Sequence, residues 1–159
     1  MKITIISVGK LKEQYLADGI KEYIKRISKY SEVKEIVLKD MPIPTKESDA
    51  IDQEIKRKEG LEILEAIPSN SYKVVLDLKG EMIDSPGLAK KLLEIQTYHS
   101  SHIVFIIGGS LGLSDEVLRS ADYHLCFSKM TFPHQLMKLI LLEQIYRGFK
   151  INNNETYHK

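Results

Sequence analysis

Apolar residues along this chain fall into two rhythms that alternate from one end to the other. Ile3 to Val8 is a near-continuous apolar run closed by Gly9, the pattern of a buried parallel strand. Tyr15, Leu16, Gly19, Ile20, Tyr23, Ile24 and Ile27 then recur at helical spacing, predicting an amphipathic helix from Lys12 to about Ser28. Val33 to Leu38 is β-branched enough for a second strand. After the proline-containing loop at Met41, a helix is expected over Asp49–Ala66, capped by Ser48 and stopped by Pro68, with Gly60 weakening its middle. Lys73 to Leu78 reads as the third strand, ended by Lys79-Gly80. Ser85-Pro86 reads as an N-cap followed by proline at the first helical position, opening a helix that runs to about Tyr98. Ile103 to Ile107 is the fourth strand, Ser114 to Ser120 a short helix, and Tyr123 to Phe127 the fifth strand. A last helix is expected from Pro133 to about Arg147. Strands that alternate with helices predict βα units and a mainly parallel sheet flanked by helices, an α/β fold.

The last helix departs from the amphipathic rule. Leu136, Met137, Leu139, Ile140, Leu141, Leu142, Ile145 and Tyr146 go round its whole circumference. Leaving one such face wet is unfavourable, at about 1.5–3 kcal/mol per large apolar side chain. Near the chain end, this predicts packing against a second copy.

The 159 residues are read as one domain with no internal repeat or linker. The single cysteine, Cys126, sits in an apolar run and reads as core filler, and no Cys/His pair has metal-ligand spacing. No apolar run is long enough to span a membrane, and the opening stretch is too short and too soon charged for an export signal. The expectation is a cytoplasmic protein without metal. A formal net charge of +1 argues against a protein that coats free nucleic acid. The C-terminal stretch is locally basic, with Lys129, Lys138, Arg147, Lys150 and Lys159 against Glu143 and Glu155.

Candidate chemistry collects at the carboxyl ends of three strands, where open α/β sheets bind ligands: Leu76-Asp77-Leu78, Gly108 to Gly112, and Phe127 to Phe132. The glycine turn runs G-G-x-x-G, late in the chain, and the nearest acid, Asp122, opens the next strand. That departs from a dinucleotide-binding fingerprint, and no G-K-[S/T] phosphate loop occurs. His99, His102 and His124 read as structural or surface residues, while His134 lies beside the candidate ligand loop. The tail Tyr157-His158-Lys159 groups a phenol, an imidazole and an ammonium, suited to proton transfer or phosphate contact, although chain ends ordinarily fray.

Four motifs in order resemble one family: Phe105-IIGGSLG-Gly112, Leu125-CFSKMTFPHQL-Leu136, Leu142-EQIYR-Arg147 and Tyr157-His158-Lys159. Over essentially its whole length, the chain resembles the large-subunit ribosomal RNA methyltransferase H family of the SPOUT class. The resemblance implies an α/β sheet with a C-terminal trefoil knot, and a homodimer with its active site at the subunit interface. It further implies S-adenosylmethionine as cofactor and, as substrate, a pseudouridine in 23S rRNA, methylated at N3 on assembled ribosomes. By matching position, the cofactor pocket would use Leu76, Gly108, Phe127, Ser128, Lys129, Met130, Thr131 and Phe132, with Lys129 and Met130 acting through backbone. Arg147, Tyr157, His158 and Lys159 would be the functional basic and tail positions. His158, or Tyr157 assisted by it, would accept the N3 proton or orient the base, while Arg147 and Lys159 hold RNA phosphate. A tail that is mobile alone and ordered on the ribosome would reconcile this with the near-neutral charge. Two other readings compete: a non-catalytic ribosome-binding protein of the same fold, and a metabolic enzyme using NAD or ATP.

Overall fold

The structure, a computed structural model, describes residues 1–46 and 48–159. Among the described residues ten elements alternate: β1 (Lys2–Val8), α1 (Gln14–Ile27), β2 (Glu32–Leu38), α2 (Asp49–Ala66), β3 (Tyr72–Met82), α3 (Ser85–Tyr98), β4 (His102–Ile107), α4 (Asp115–Ser120), β5 (Tyr123–Cys126) and α5 (His134–Asn152). The strands form one sheet in the order β2-β1-β4-β3-β5, and every pairing between neighbours is parallel.

Alternation of side chains across the pleat divides the interior into two cores. Ile3 and Ile5 of β1, with Ile103 and Phe105 of β4, face α1, α3 and α5 through Ile20, Ile27, Leu92, Ile95, Leu141, Leu142 and Ile145. Ile6 and Val8, with Val104 and Ile106, face α2 and α4 through Ile63 and Val117. The near-continuous apolar runs of β1 and β4 therefore reflect strands covered on both sides.

α5 packs between α1 and α3, so a single copy already encloses most of the helix whose apolar circumference pointed to a partner. Its polar intruder, Lys138, is fully buried and is held by Glu35 at 2.5 Å and by Ser7 Oγ at 3.2 Å. The middle of α2, where Gly60 was expected to weaken the helix, is continuous. A Cβ there would collide with Ser114, so the missing side chain lets α2 close on the start of α4.

Three boundaries differ from the sequence expectation. The cap of α3 is Asp84, whose carboxylate accepts from Gly87 N at 2.8 Å; Ser85 instead donates to Gln144 on α5. β3 does not stop at Gly80 but resumes pairing with β5 at Glu81 and Met82. α5 continues past Arg147 to Asn152, because Phe149 is buried in the core and Asn152 Nδ2 donates to Ala89 O at 2.9 Å.

Candidate functional site

Three loops meet at the carboxyl ends of β3, β4 and β5 and enclose a cleft of about 670 Å³, part of it open to solvent. One wall comes from β3. Leu125 of β5 pairs with both Leu76 and Glu81, so residues 77–80 loop out of the ladder, and Leu76, Asp77 and Leu78 line the cleft.

The second wall is the turn after β4. Gly112 N donates to Gly109 O at 3.0 Å, and Gly112 holds φ at +86°, a value that side chains disfavour. At Gly108 a Cβ would lie 2.8 Å from the backbone of Gly112, so only glycine lets the turn close this tightly.

The third wall is the segment after β5. Cys126 Sγ donates to Ser128 O at 3.2 Å, and Ser128 Oγ accepts from Met130 N at 3.0 Å. Phe127, Ser128, Met130, Thr131 and Phe132 face the cleft. His134 and Met137 close it from the first turns of α5, which is tied to the end of β1 by Gln135 Nε2 donating to Gly9 O at 2.9 Å. Burial holds the His134 imidazole below its ordinary pKa, only partly offset by Asp40, which favours the neutral ring.

The lining is mostly apolar side chain and backbone. It suits a ligand with a flat aromatic part and a few polar edges, held by main-chain groups rather than by charged side chains. Among the described residues no group of His, Cys, Asp and Glu could hold a metal ion, and no helix is long and apolar enough to cross a membrane.

Seven of the eight residues assigned to the pocket by position line this cleft; Lys129 does not, and is exposed. Arg147, Tyr157 and His158 gather elsewhere, around Glu143 on α5. Arg147 forks onto Glu143 with contacts of 2.6 and 3.1 Å, and Tyr157 OH donates to the same carboxylate at 3.1 Å. His158 Nδ1 lies 3.2 Å from Arg147 Nη1. The Tyr157 ring meets Tyr146 edge-on at 5.0 Å and lies under the Arg147 guanidinium at 4.7 Å. Lys159 is exposed.

The tail is therefore docked on α5 rather than free, and Glu155 extends the anchorage by bonding Lys150 and Tyr30. Burial first, then hydrogen bonding with Tyr23 and Glu143, pushes the Tyr157 phenol up to about 12. It stays protonated near neutrality, so it is a donor there and not a base. Arginine can only donate, so His158 Nδ1 must accept, which places the neutral ring's proton on Nε2.

Little of the local basic excess is free at the surface. Lys138 is internal, while Arg147 and Lys150 are paired with Glu143 and Glu155; Lys129 and Lys159 remain exposed. Two residues escaped the sequence reading. Glu143, which organises the tail, passed as a mere counter-charge. His124, taken as structural or surface, bonds Asp77 at the cleft wall with Nδ1 to Oδ2 at 3.0 Å. The acid at i−4 from Arg147 was a usable signal for Glu143, whereas nothing local links His124 to Asp77.

The tail cluster and the cleft lie on the same helix but apart. Met137 and Arg147 are ten residues distant, about 15 Å along an α-helix.

Comparison with known proteins agrees with this architecture. Residues 1–158 match the family described as "Predicted SPOUT methyltransferase". Over the full length of both chains, this one is 58% identical to the ribosomal RNA large subunit methyltransferase H of Alkaliphilus oremlandii. The proteins of the same name from Clostridium botulinum and Ruminiclostridium cellulolyticum are 54% and 51% identical, again over both full lengths. Among solved structures, a probable methylase family protein from Haemophilus influenzae shares the fold, with a TM-score of 0.51 at 15% identity over 99% of this chain and 70% of that one. With a SPOUT methyltransferase profile matched over residues 1–158 and full-length relatives above half identity, the chain belongs to the SPOUT methyltransferase family.

Proposed function

We propose that this protein is a cytoplasmic enzyme that methylates N3 of a pseudouridine in 23S rRNA on assembled ribosomes, with S-adenosylmethionine as methyl donor. The names of its full-length relatives support ribosomal RNA as the substrate. The observation that carries the reading is the cleft itself: three backbone-rich loops around an apolar hollow at the carboxyl edge of a parallel sheet. The residues present fit the donor. Leu76, Leu78, Phe127 and Phe132 offer apolar walls for an adenine ring, and the open side of Gly112, with nothing within 4 Å of a Cβ, leaves room beside main-chain groups. When bound, S-adenosylmethionine supplies an electrophilic methyl group on a sulfonium centre.

The enzyme works as a homodimer, in which the tail of one copy completes the cleft of the other, and the C-terminal segment is threaded as a trefoil knot. The separation of tail and cleft along α5 supports the shared site. So does the exposed apolar rim of Leu78, Met82 and Met130, together with the neighbouring groove of Ile83, Phe127 and Ile140. Across such an interface, His158 Nε2–H orients the target base, and Arg147 and Lys159 hold RNA phosphate. The tautomer imposed by Arg147 favours orientation over proton acceptance by His158. Near-neutral charge suits recognition of one structured site by shape.

Transfer of labelled methyl to ribosomes lacking the modification, with free rRNA as control, tests the proposal. Label in 23S rRNA from ribosomes alone supports it in full. Label in free rRNA as well would keep the enzyme and remove the assembled-particle requirement. No label in either would favour a ribosome-binding protein without catalysis.

A further inference from the structure

The excursion at residues 77–80 is the one wall of the cleft that neither a glycine turn nor a helix start explains. Four residues leave the β3 ladder and rejoin it against the same β5 residue, Leu125. A loop of that kind, carrying the exposed cleft residue Leu78 just beyond Leu76, should sample many shapes unless something holds it.

Two features hold it, and both involve one residue of β5. The Asp77 carboxylate receives Lys79 N at 3.0 Å on Oδ1, which closes the loop on itself, and His124 Nδ1 at 3.0 Å on Oδ2, which ties it to β5. Gly80 lies directly on the His124 backbone, where a Cβ would sit 2.7 Å from the carbonyl carbon and oxygen. The carboxylate can only accept, so the ring proton that faces it is on Nδ1. His124 thus pins the excursion through its side chain and seats it through its backbone.

We propose that His124 and Asp77 are positioning residues of the cofactor pocket, forming a strut that keeps the Leu76–Gly80 wall in its binding shape. The proposal rests on the S-adenosylmethionine reading above. Neither residue is required to touch the reacting atoms. The strut acts by removing the ordering that the wall would otherwise undergo on binding.

Calorimetric titration with S-adenosylhomocysteine, on wild type, His124→Ala, His124→Asn and Asp77→Ala, tests it. An asparagine at 124 places an amide donor near the position of Nδ1 and restores the contact. The alanine variants should bind about 5- to 10-fold more weakly, the loss expected when one wall must be ordered on binding. His124→Asn should stay within about twofold of wild type, by the same reasoning. In methyl transfer to ribosomes, the alanine variants should raise KM for S-adenosylmethionine and leave kcat near wild type. Amide hydrogen exchange over residues 77–82 should quicken in the alanine variants alone. A structural role without positioning would lower the thermal midpoint and leave binding unchanged. Equal binding by wild type and His124→Ala would overturn the strut while the cofactor reading stands, as would a His124→Asn variant no better than alanine. Absence of binding by the wild type would remove the cofactor reading and this role with it.

Discussion

Two stretches of α5 solve the problem of holding groups in place by opposite means. At the helix start the cleft is shaped by backbone: a glycine turn with no room for a Cβ at Gly108, a bulged strand, and main-chain groups bonded within loops. Further along, between Glu143 and Arg147, the cluster is made of side chains. One carboxylate, Glu143, gathers a guanidinium and a phenol, and aromatic edges do the rest. A backbone-built site should ignore most side-chain replacements and fail when a glycine changes. A side-chain-built cluster should behave in reverse.

The largest effect expected from that contrast is at Gly108. Gly108→Val should lower methyl transfer by about 100-fold or more, since an ångström of misplacement can cost that much. The tail double variant Tyr157→Phe/His158→Ala should also be inactive. Mixed dimers of these two inactive proteins should recover activity that neither shows alone, because one undamaged cleft then meets one undamaged tail. Failure of the mixture to recover would place cleft and tail of a single copy in the same site and break the comparison.

Next comes Glu143→Gln. Hydrogen bonds to a charged group contribute about 1.5–3 kcal/mol, so losing the carboxylate that Arg147 and Tyr157 share should cost about tenfold or more in methyl transfer. Binding of S-adenosylhomocysteine, measured by calorimetry, should not change.

A smaller effect concerns pH. The Tyr157 phenol has a folded value of about 12 against an ordinary 10.0. It therefore contributes its full stabilisation below pH 10.0, and that contribution is lost as pH rises through about 12. A phenolate absorbance titration should find a late-titrating class that also contains Tyr123, likewise pushed up to about 12. Tyr157→Phe should diminish that class.

The smallest effects belong to Lys129 and Met130. Both side chains are exposed although their segment forms the cleft wall, so alanine at either should leave cofactor binding within about twofold, the ordinary range for surface replacements. A tenfold loss at Lys129 would show that its ammonium, and not the backbone, faces the ligand.

Much of this molecule was legible in one dimension. The covered strands β1 and β4 announce themselves as apolar runs, and the amphipathic α1 by its spacing, because each pattern reports burial over a few turns or pleats of local chain. The glycine turn and the Phe127–Phe132 segment also stood out, since φ values and close approach leave compositional marks. Of the eight pocket positions that the resemblance carried over, seven line the cleft, and they were carried by motifs rather than by periodicity. What misled were ends and surroundings. α3 is capped by Asp84 because Ser85 is engaged by Gln144, a residue 59 positions away. The tail docks because Glu143, one helix earlier, offers it a carboxylate.

By itself, then, the sequence determined the order of strands and helices, the α/β class and which loops contain glycine where a ligand could approach. These depend on local backbone preference and on the periodicity of burial. Only the tertiary structure decided that residues 77–80 leave the sheet, that Asp77 meets His124 across 47 positions, that Lys138 turns inward to Glu35, and that cleft and tail occupy different stretches of one helix. The first three of those outcomes rest on pairings between distant segments. Each is set by which partner remains within reach once the two cores have closed, and no window of the chain contains both halves.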